Sequence, residues 1–127
     1  MVEAINSDAA PAAIGPYSHA IRAGAYVFCS GQLGIEKATG KLVSDDAGSQ
    51  AEMCVRNIGE VLKSAGLGLA DVVKTTIFLT DLKDFEKVNA VYGRAFRDHK
   101  PARSTVQVAA LPRGARVEIE AVAFSGK

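Results

Sequence analysis

DVVKTTIFLT, residues 71–80, is the stretch on which the fold turns. β-branched and aromatic residues dominate it. Alternation sorts Val73, Thr75, Ile77 and Leu79 onto one face and Val72, Lys74, Thr76 and Phe78 onto the other. It reads as a central strand. Upstream, Ala51, Cys54, Val55, Ile58, Leu62 and Ala65 recur at helical spacing, with Ser44, Asp45 and Asp46 as candidate caps and Gly66 just past the end. That pattern predicts an amphipathic helix over 46–65, weakened by Gly59 in its interior. Downstream, Asp84 can cap a second helix on which Phe85, Val88, Tyr92, Ala95 and Phe96 form one apolar stripe. It ends near His99-Lys100-Pro101, because the residue before a proline avoids the α region.

Further out, residues 17–21 and 26–30 read as two strands joined by the turn Arg22-Ala23-Gly24-Ala25. Residues 104–110 and 115–124 read as two more, joined by Leu111-Pro112-Arg113-Gly114. The order ββαβαββ implies an α+β architecture with both helices on one face of a mixed sheet. The 127 residues suit a single domain over 1–127.

The last strand carries a second message. Val117, Ile119, Ala121 and Ala123 point one way, whereas Arg116, Glu118, Glu120, Val122 and Phe124 point the other. If helices cover the first set, the second is an outward face of mixed character, suited to a subunit interface with a polar cleft at one end. On the preceding strand Arg103, Thr105 and Gln107 share a face, so the polar residues of both strands are expected to line one cavity, with Arg103 and Glu118 as neighbours.

Composition excludes several classes of function. Hydrophobic residues make up 48% and charged residues 23%, as in ordinary globular domains. A net charge of +1 with scattered Lys and Arg argues against a nucleic-acid footprint. The start MVEAINSDAA has neither the basic nor the apolar region of a signal peptide, and no run is long enough to span a membrane, so a cytoplasmic location is expected. Cys29 and Cys54 read as buried thiols, and His19 and His99 as isolated structural or surface residues, so no metal site is expected. There is no GxGxxG, P-loop, GxSxG or HExxH.

Single residues leave alternatives open. Arg103 is a surface arginine, an ion-pair partner of Glu118 or Glu120, or an anchor for a carboxylate or phosphate through two parallel hydrogen bonds. Glu118 and Glu120 are solvated strand residues or, in a dry cleft, a base for water. Tyr17 is a core or interface aromatic or a phenol over a ligand. Ser30-Gly31 turns the chain or offers backbone groups to a substrate. Asn89 reads as solvent-facing or locally bonded.

The segments AAIGPYSHAI, FCSGQLGI, VVKTTIFLTDLKDFEKVNAVY and PARSTVQVAALPRGARVEIEAVAF together resemble the RidA (YjgF) family of reactive-intermediate deaminases, from about residue 12 to 124. The resemblance implies a chorismate-mutase-like fold and a homotrimer whose sheets form a central barrel with clefts between subunits. It also implies hydrolysis of 2-imino and enamine acids, such as 2-aminoacrylate, 2-iminopropanoate and 2-iminobutanoate, to 2-keto acids and ammonia without metal or organic cofactor. On the matching motifs, Arg103 would bind the substrate carboxylate and Glu118 would activate water. Tyr17 would lie near the imine, Ser30 and Gly31 would offer contacts to substrate, and Asn89 would line the cleft. Where many members carry cysteine, this chain has Thr105, which rules out thiol chemistry there and leaves hydrogen bonding to substrate. The short segment 98–100 alters the expected cleft rim. The alternative within the family is a chaperone-like or translation-inhibiting ribonuclease protein.

Overall fold

The computed structural model describes residues 2–126. Its strands are β1 (Val2–Ile5), β2 (Ala20–Ala23), β3 (Tyr26–Leu33), β4 (Val72–Leu79), β5 (Ala102–Gln107) and β6 (Val117–Phe124); its helices are α1 (Ala47–Ser64) and α2 (Phe85–Phe96). The strands form one sheet in the order β1-β2-β3-β6-β4-β5. Only β4 and β5 run parallel, joined by α2 as the crossover. α1 packs on β3, on β6 and against α2, so both helices cover the same face. The sheet is mixed and the architecture α+β, as the sequence predicts.

Local chemistry explains the helix limits. Asp46 accepts a hydrogen bond from the Ser49 N–H at the start of α1. At the other end Gly66 takes φ +76°, which lets the Leu67 N–H reach the Leu62 carbonyl and the Gly66 N–H reach that of Lys63. α2 begins differently from expectation. Asp84 makes no capping hydrogen bond; its carboxylate lies 3.8 Å from Arg116 Nη1, and the Asp81 side chain instead caps a single tight turn just upstream. α2 also stops at Phe96, short of residues 99–101, because Arg97 leaves the helix at φ 57°.

The core lies between this helix pair and one face of the sheet. Val117, Ile119, Ala121 and Ala123 of β6 are buried beneath Ile58 and Leu62 of α1, while Val88, Tyr92 and Phe96 of α2 complete the layer. Ile58, Leu62, Ile77 and Ile119 are almost wholly inaccessible, each contributing about 1.5–3 kcal/mol of transfer free energy. Two buried amides tie down the connection from β3. Asn57 Nδ2 donates to the Leu33 and Ile35 carbonyls, and Gln50 bridges the Ser44 carbonyl and the Arg116 N–H.

Expectations about the strands are also corrected. A strand, β1, precedes the two that the sequence suggested; only Ile5 of its four residues is buried, too little alternation to notice. Residues 17–19 are not strand, because the His19 N–H goes to Asn6 Oδ1 and pairing begins at Ala20. In β4 it is Val72, not Val73, that shares the buried face with Thr75, Ile77 and Leu79, because a register shift between Val72 and Lys74 inserts one residue. β5 begins two residues earlier than expected and ends at Gln107, so residues 108–110 of the expected strand lie beyond its end.

The other face has no helix over it. Tyr26, Phe28 and Val106 are exposed there, with Phe78, Val122 and Phe124 half-buried beside them. The rings of Tyr26 and Phe124 meet at 5.1 Å.

Gly59 offers a check on the helix. Apart from its chain neighbours and the helix's own backbone, no heavy atom of the described residues lies within 4 Å of a Cβ built there. Gly59→Ala should therefore raise unfolding stability by about 0.5–1 kcal/mol, measured as a higher urea midpoint at unchanged m-value.

Candidate active site

Arg103 stands on the edge strand β5, directly opposite Thr75 in the parallel register with β4. Opposed residues share a face, and Thr75 is completely buried on the helix side. Arg103 therefore points toward α2, where its guanidinium lies over the rings of Tyr92 and Phe85. Among the described residues it has no ion-pair or hydrogen-bond partner. It opens onto a cavity of about 480 Å³ that Asn89, Phe96, His99 and Lys100 also line. Asn89 is exposed on α2 and borders this cavity, so both readings of it meet in one position. Thr105 follows on the same face, opposite Ile77, and its Oγ1 is buried without a hydrogen-bond partner.

Glu118 is on the opposite face. It pairs with Leu33 of β3 and Phe78 of β4, while the neighbouring Ile119 points into the core. With β4 between their strands, Arg103 and Glu118 are roughly 10 Å apart by strand spacing alone and separated by the sheet itself. The expectation that they are neighbours in one cavity of a single chain is thus overturned: the register, which alternation cannot reveal, sets them on opposite sides. The ion pairs considered for Arg103 with Glu118 or Glu120 are excluded within the chain for the same reason.

Glu118 has company of its own. A register shift in β3 between Cys29 and Gln32 throws Ser30 and Gly31 out of regular pairing. A Cβ at Gly31 would sit 1.9 Å from Glu118 Oε2, so the carboxylate rests against bare main chain that only glycine provides. Ser30 is held by its Oγ donating to the Ser18 carbonyl and its N–H donating to the His19 carbonyl. Tyr17, half exposed, and Gly31 line a second cavity of about 270 Å³ with Ile14, Ile35, Lys37 and Arg113.

Two contributors here were not singled out from sequence as site residues. His19 is buried, its Nδ1 accepting from the Ser7 N–H and its Nε2 donating to the Pro11 carbonyl, which pins segment 6–11 beside Tyr17. Its structural role agrees with expectation, but its effect on the cavity wall needed the fold. Arg113 borders the cavity from a left-handed conformation, φ 64°, that nothing in a Pro-Arg-Gly turn announces.

Residues 7–125 match the sequence family described as endoribonuclease L-PSP. A 2-iminobutanoate/2-iminopropanoate deaminase of Homo sapiens is 47% identical over 122 residues, 96% of this chain and 89% of the relative. The solved RidA of an Antarctic Psychrobacter superposes with a TM-score of 0.92 at 44% identity, over 96% of this chain and 98% of that one. The chain belongs to the RidA family. E. coli TdcF, solved with bound serine, is 40% identical with a TM-score of 0.93, over 98% of this chain and 99% of that one.

In this RidA-family chain burial shifts two titratable groups on and beside β6. Burial raises the Glu118 carboxyl above the ordinary glutamate range, and the negative charge of Glu120 adds to the effect. Burial likewise pushes the Cys29 thiol up to about 11, so it is protonated and inert at neutral pH. Among the described residues no three His, Cys, Asp or Glu side chains converge as a metal-binding group, and no helix is long and apolar enough to cross a membrane.

Gly31→Ala should expel the Glu118 carboxylate from its seat while leaving the core intact. The expected result is a far-ultraviolet circular dichroism spectrum like wild type with most imine-hydrolysing activity lost. The raised carboxyl also carries a stability signature. Its contribution is fully present below the ordinary glutamate pKa and lost as pH rises through the elevated one. Glu118→Gln, which cannot ionise, should melt above wild type at about pH 7 and show no gain near about pH 3, in thermal scans across that range.

Proposed function

We propose that this protein hydrolyses reactive 2-imino and enamine acids, including 2-aminoacrylate, 2-iminopropanoate and 2-iminobutanoate, to 2-keto acids and ammonia. The observation that carries the proposal is the unpaired, ring-stacked guanidinium of Arg103. An arginine in a cavity with no acidic partner has its planar fork free for a carboxylate, and every substrate of this class has one. The human relative's activity and the serine bound to TdcF are in keeping with it.

The second half of the machinery is Glu118. A carboxylate whose proton affinity burial has raised is a better base for water than an ordinary surface glutamate. Water adds to C2 of the protonated imine, Glu118 takes one of its protons, and that proton passes to nitrogen. The carbinolamine then collapses as the C–N bond breaks, leaving a 2-keto acid and ammonium. Tyr17 packs near the imine, Gly31 and Ser30 border the water and substrate, and Thr105 and Asn89 support the carboxylate end. No step needs a metal or organic cofactor. Because the Thr105 hydroxyl is enclosed, its contact with substrate requires a side-chain rotation.

One chain cannot bring Arg103 and Glu118 to the same substrate, since they lie on opposite faces of its sheet. A second subunit docked on the bare face can. The exposed Tyr26, Phe28 and Val106 there support assembly as a homotrimer with clefts between subunits, each cleft taking Arg103 from one chain and Glu118 from the next. The two reduced, buried cysteines are compatible with a cytoplasmic setting. Ribonuclease action is the weaker reading, because a net charge of +1 offers little to a polyanion.

Serine dehydratase can supply 2-aminoacrylate, whose decay is followed with and without the protein. Wild type should accelerate it, and Arg103→Ala should lower kcat/KM by about 10- to 100-fold, the range for a lost charge-assisted hydrogen-bond pair. Equal rates for the two proteins would sink the mechanism. Light scattering at micromolar concentration should give three times the chain mass; a monomer that retains full activity would rule out the shared cleft.

A further inference from the structure

Among the described residues the guanidinium of Arg103 makes no hydrogen bond to protein, and the means of holding it in position forms a closed circuit. Its Cζ lies 4.9 Å from the centroid of the Tyr92 ring and 5.7 Å from that of Phe85, both within cation–π range. The two rings belong to α2 and stand seven residues apart, about two helical turns, on the face turned toward β5. Tyr92 is itself fixed, because its phenol oxygen shares a 2.7 Å hydrogen bond with Thr75 Oγ1. Thr75, completely buried, is the residue that faces Arg103 across the β4–β5 ladder. The strand that carries the arginine and the ring that supports its head are thus referred to one side chain.

From this geometry we infer that Tyr92, anchored by Thr75 and assisted by Phe85, is a positioning residue that aims Arg103 at the substrate carboxylate. The inference rests on the proposed deaminase reading and adds to it the groups that orient the anchor. An acidic partner would also have fixed the arginine, but it would have occupied the N–H donors that a carboxylate must use. Aromatic faces restrain the flat guanidinium and leave its edge free. Burial raises the Tyr92 phenol against the lowering effects of the Thr75 hydrogen bond and the Arg103 charge, so the ring stays neutral at physiological pH. The stripe on α2, which sequence alone reads as core, therefore divides its work. Val88 is purely interior, whereas Tyr92 and Phe85 turn toward the arginine, and Phe85 remains 37% exposed with little role in the core.

That exposure makes Phe85→Leu the cleaner test, since it removes a ring without emptying the interior. Loss of one exposed cation–π contact should raise KM for 2-iminopropanoate about two- to five-fold with kcat little changed. Tyr92→Leu should raise KM about ten-fold, and Tyr92→Phe, which keeps the ring but loses the Thr75 hydrogen bond, should recover only part of that loss. Both leucine substitutions are then repeated in an Arg103→Ala background, where a group acting through the arginine has nothing left to orient. No further change there, with the KM increases present in wild type, supports the inference. Wild-type KM in Phe85→Leu, or the same fold increase with and without Arg103, overturns it. Should wild type fail to accelerate the hydrolysis at all, the deaminase reading falls, and should an active wild type be matched by Arg103→Ala, the carboxylate anchor falls instead, so these failures are told apart from that of the inference.

Discussion

The parallel register of β4 against β5 is the constraint on which the rest depends. Thr75 opposite Arg103 commits the arginine to the helix side of the sheet, and the same ladder sets Ile77 opposite Thr105. β4 pairs on its other edge with β6, where Phe78 opposite Glu118 commits the glutamate to the bare side. A slip of one residue on either ladder would exchange these faces, and on the β6 ladder it would bring a carboxylate into the core. The buried alternation of Val117, Ile119, Ala121 and Ala123 makes that slip costly, so core packing and site geometry are one specification.

Separation of the two charges across the sheet has a chemical logic. Placed side by side in one chain, Arg103 and Glu118 would neutralise each other; the arginine would lose its free donors and the carboxylate its raised proton affinity. Kept apart, each matures in its own surroundings. Arg103 rests on aromatic faces and Glu118 against bare main chain. In the proposed assembly they meet only across substrate and water.

Much of this was legible in the sequence, and the failures share a cause. α1 was readable because its apolar period and its Asp46 and Gly66 boundaries agree, and β6 because strict alternation runs its whole length. β1 was not, with one buried residue in four. The irregularities at Ser30-Gly31 and at Val73 were invisible because each inserts a residue into an otherwise good alternation. Arg103, Glu118, Tyr17 and Gly31 could be nominated from their motifs. Their division between two faces could not, because which strands pair, and in which register, is decided by distant parts of the chain. The Tyr92 ring was hidden differently: a core position and a support for charge look alike when only periodicity is read.

The contact between Gly31 and Glu118 carries one more meaning. The carboxylate is shielded from water partly because the main chain can approach it where no side chain intervenes. Any larger residue at that point would force the glutamate outward, where hydration would return it toward ordinary acidity. In the proposed mechanism the basicity of this acid is thus governed from a position that contributes no functional group of its own, so a catalogue of reactive side chains would pass over a residue on which that chemistry depends.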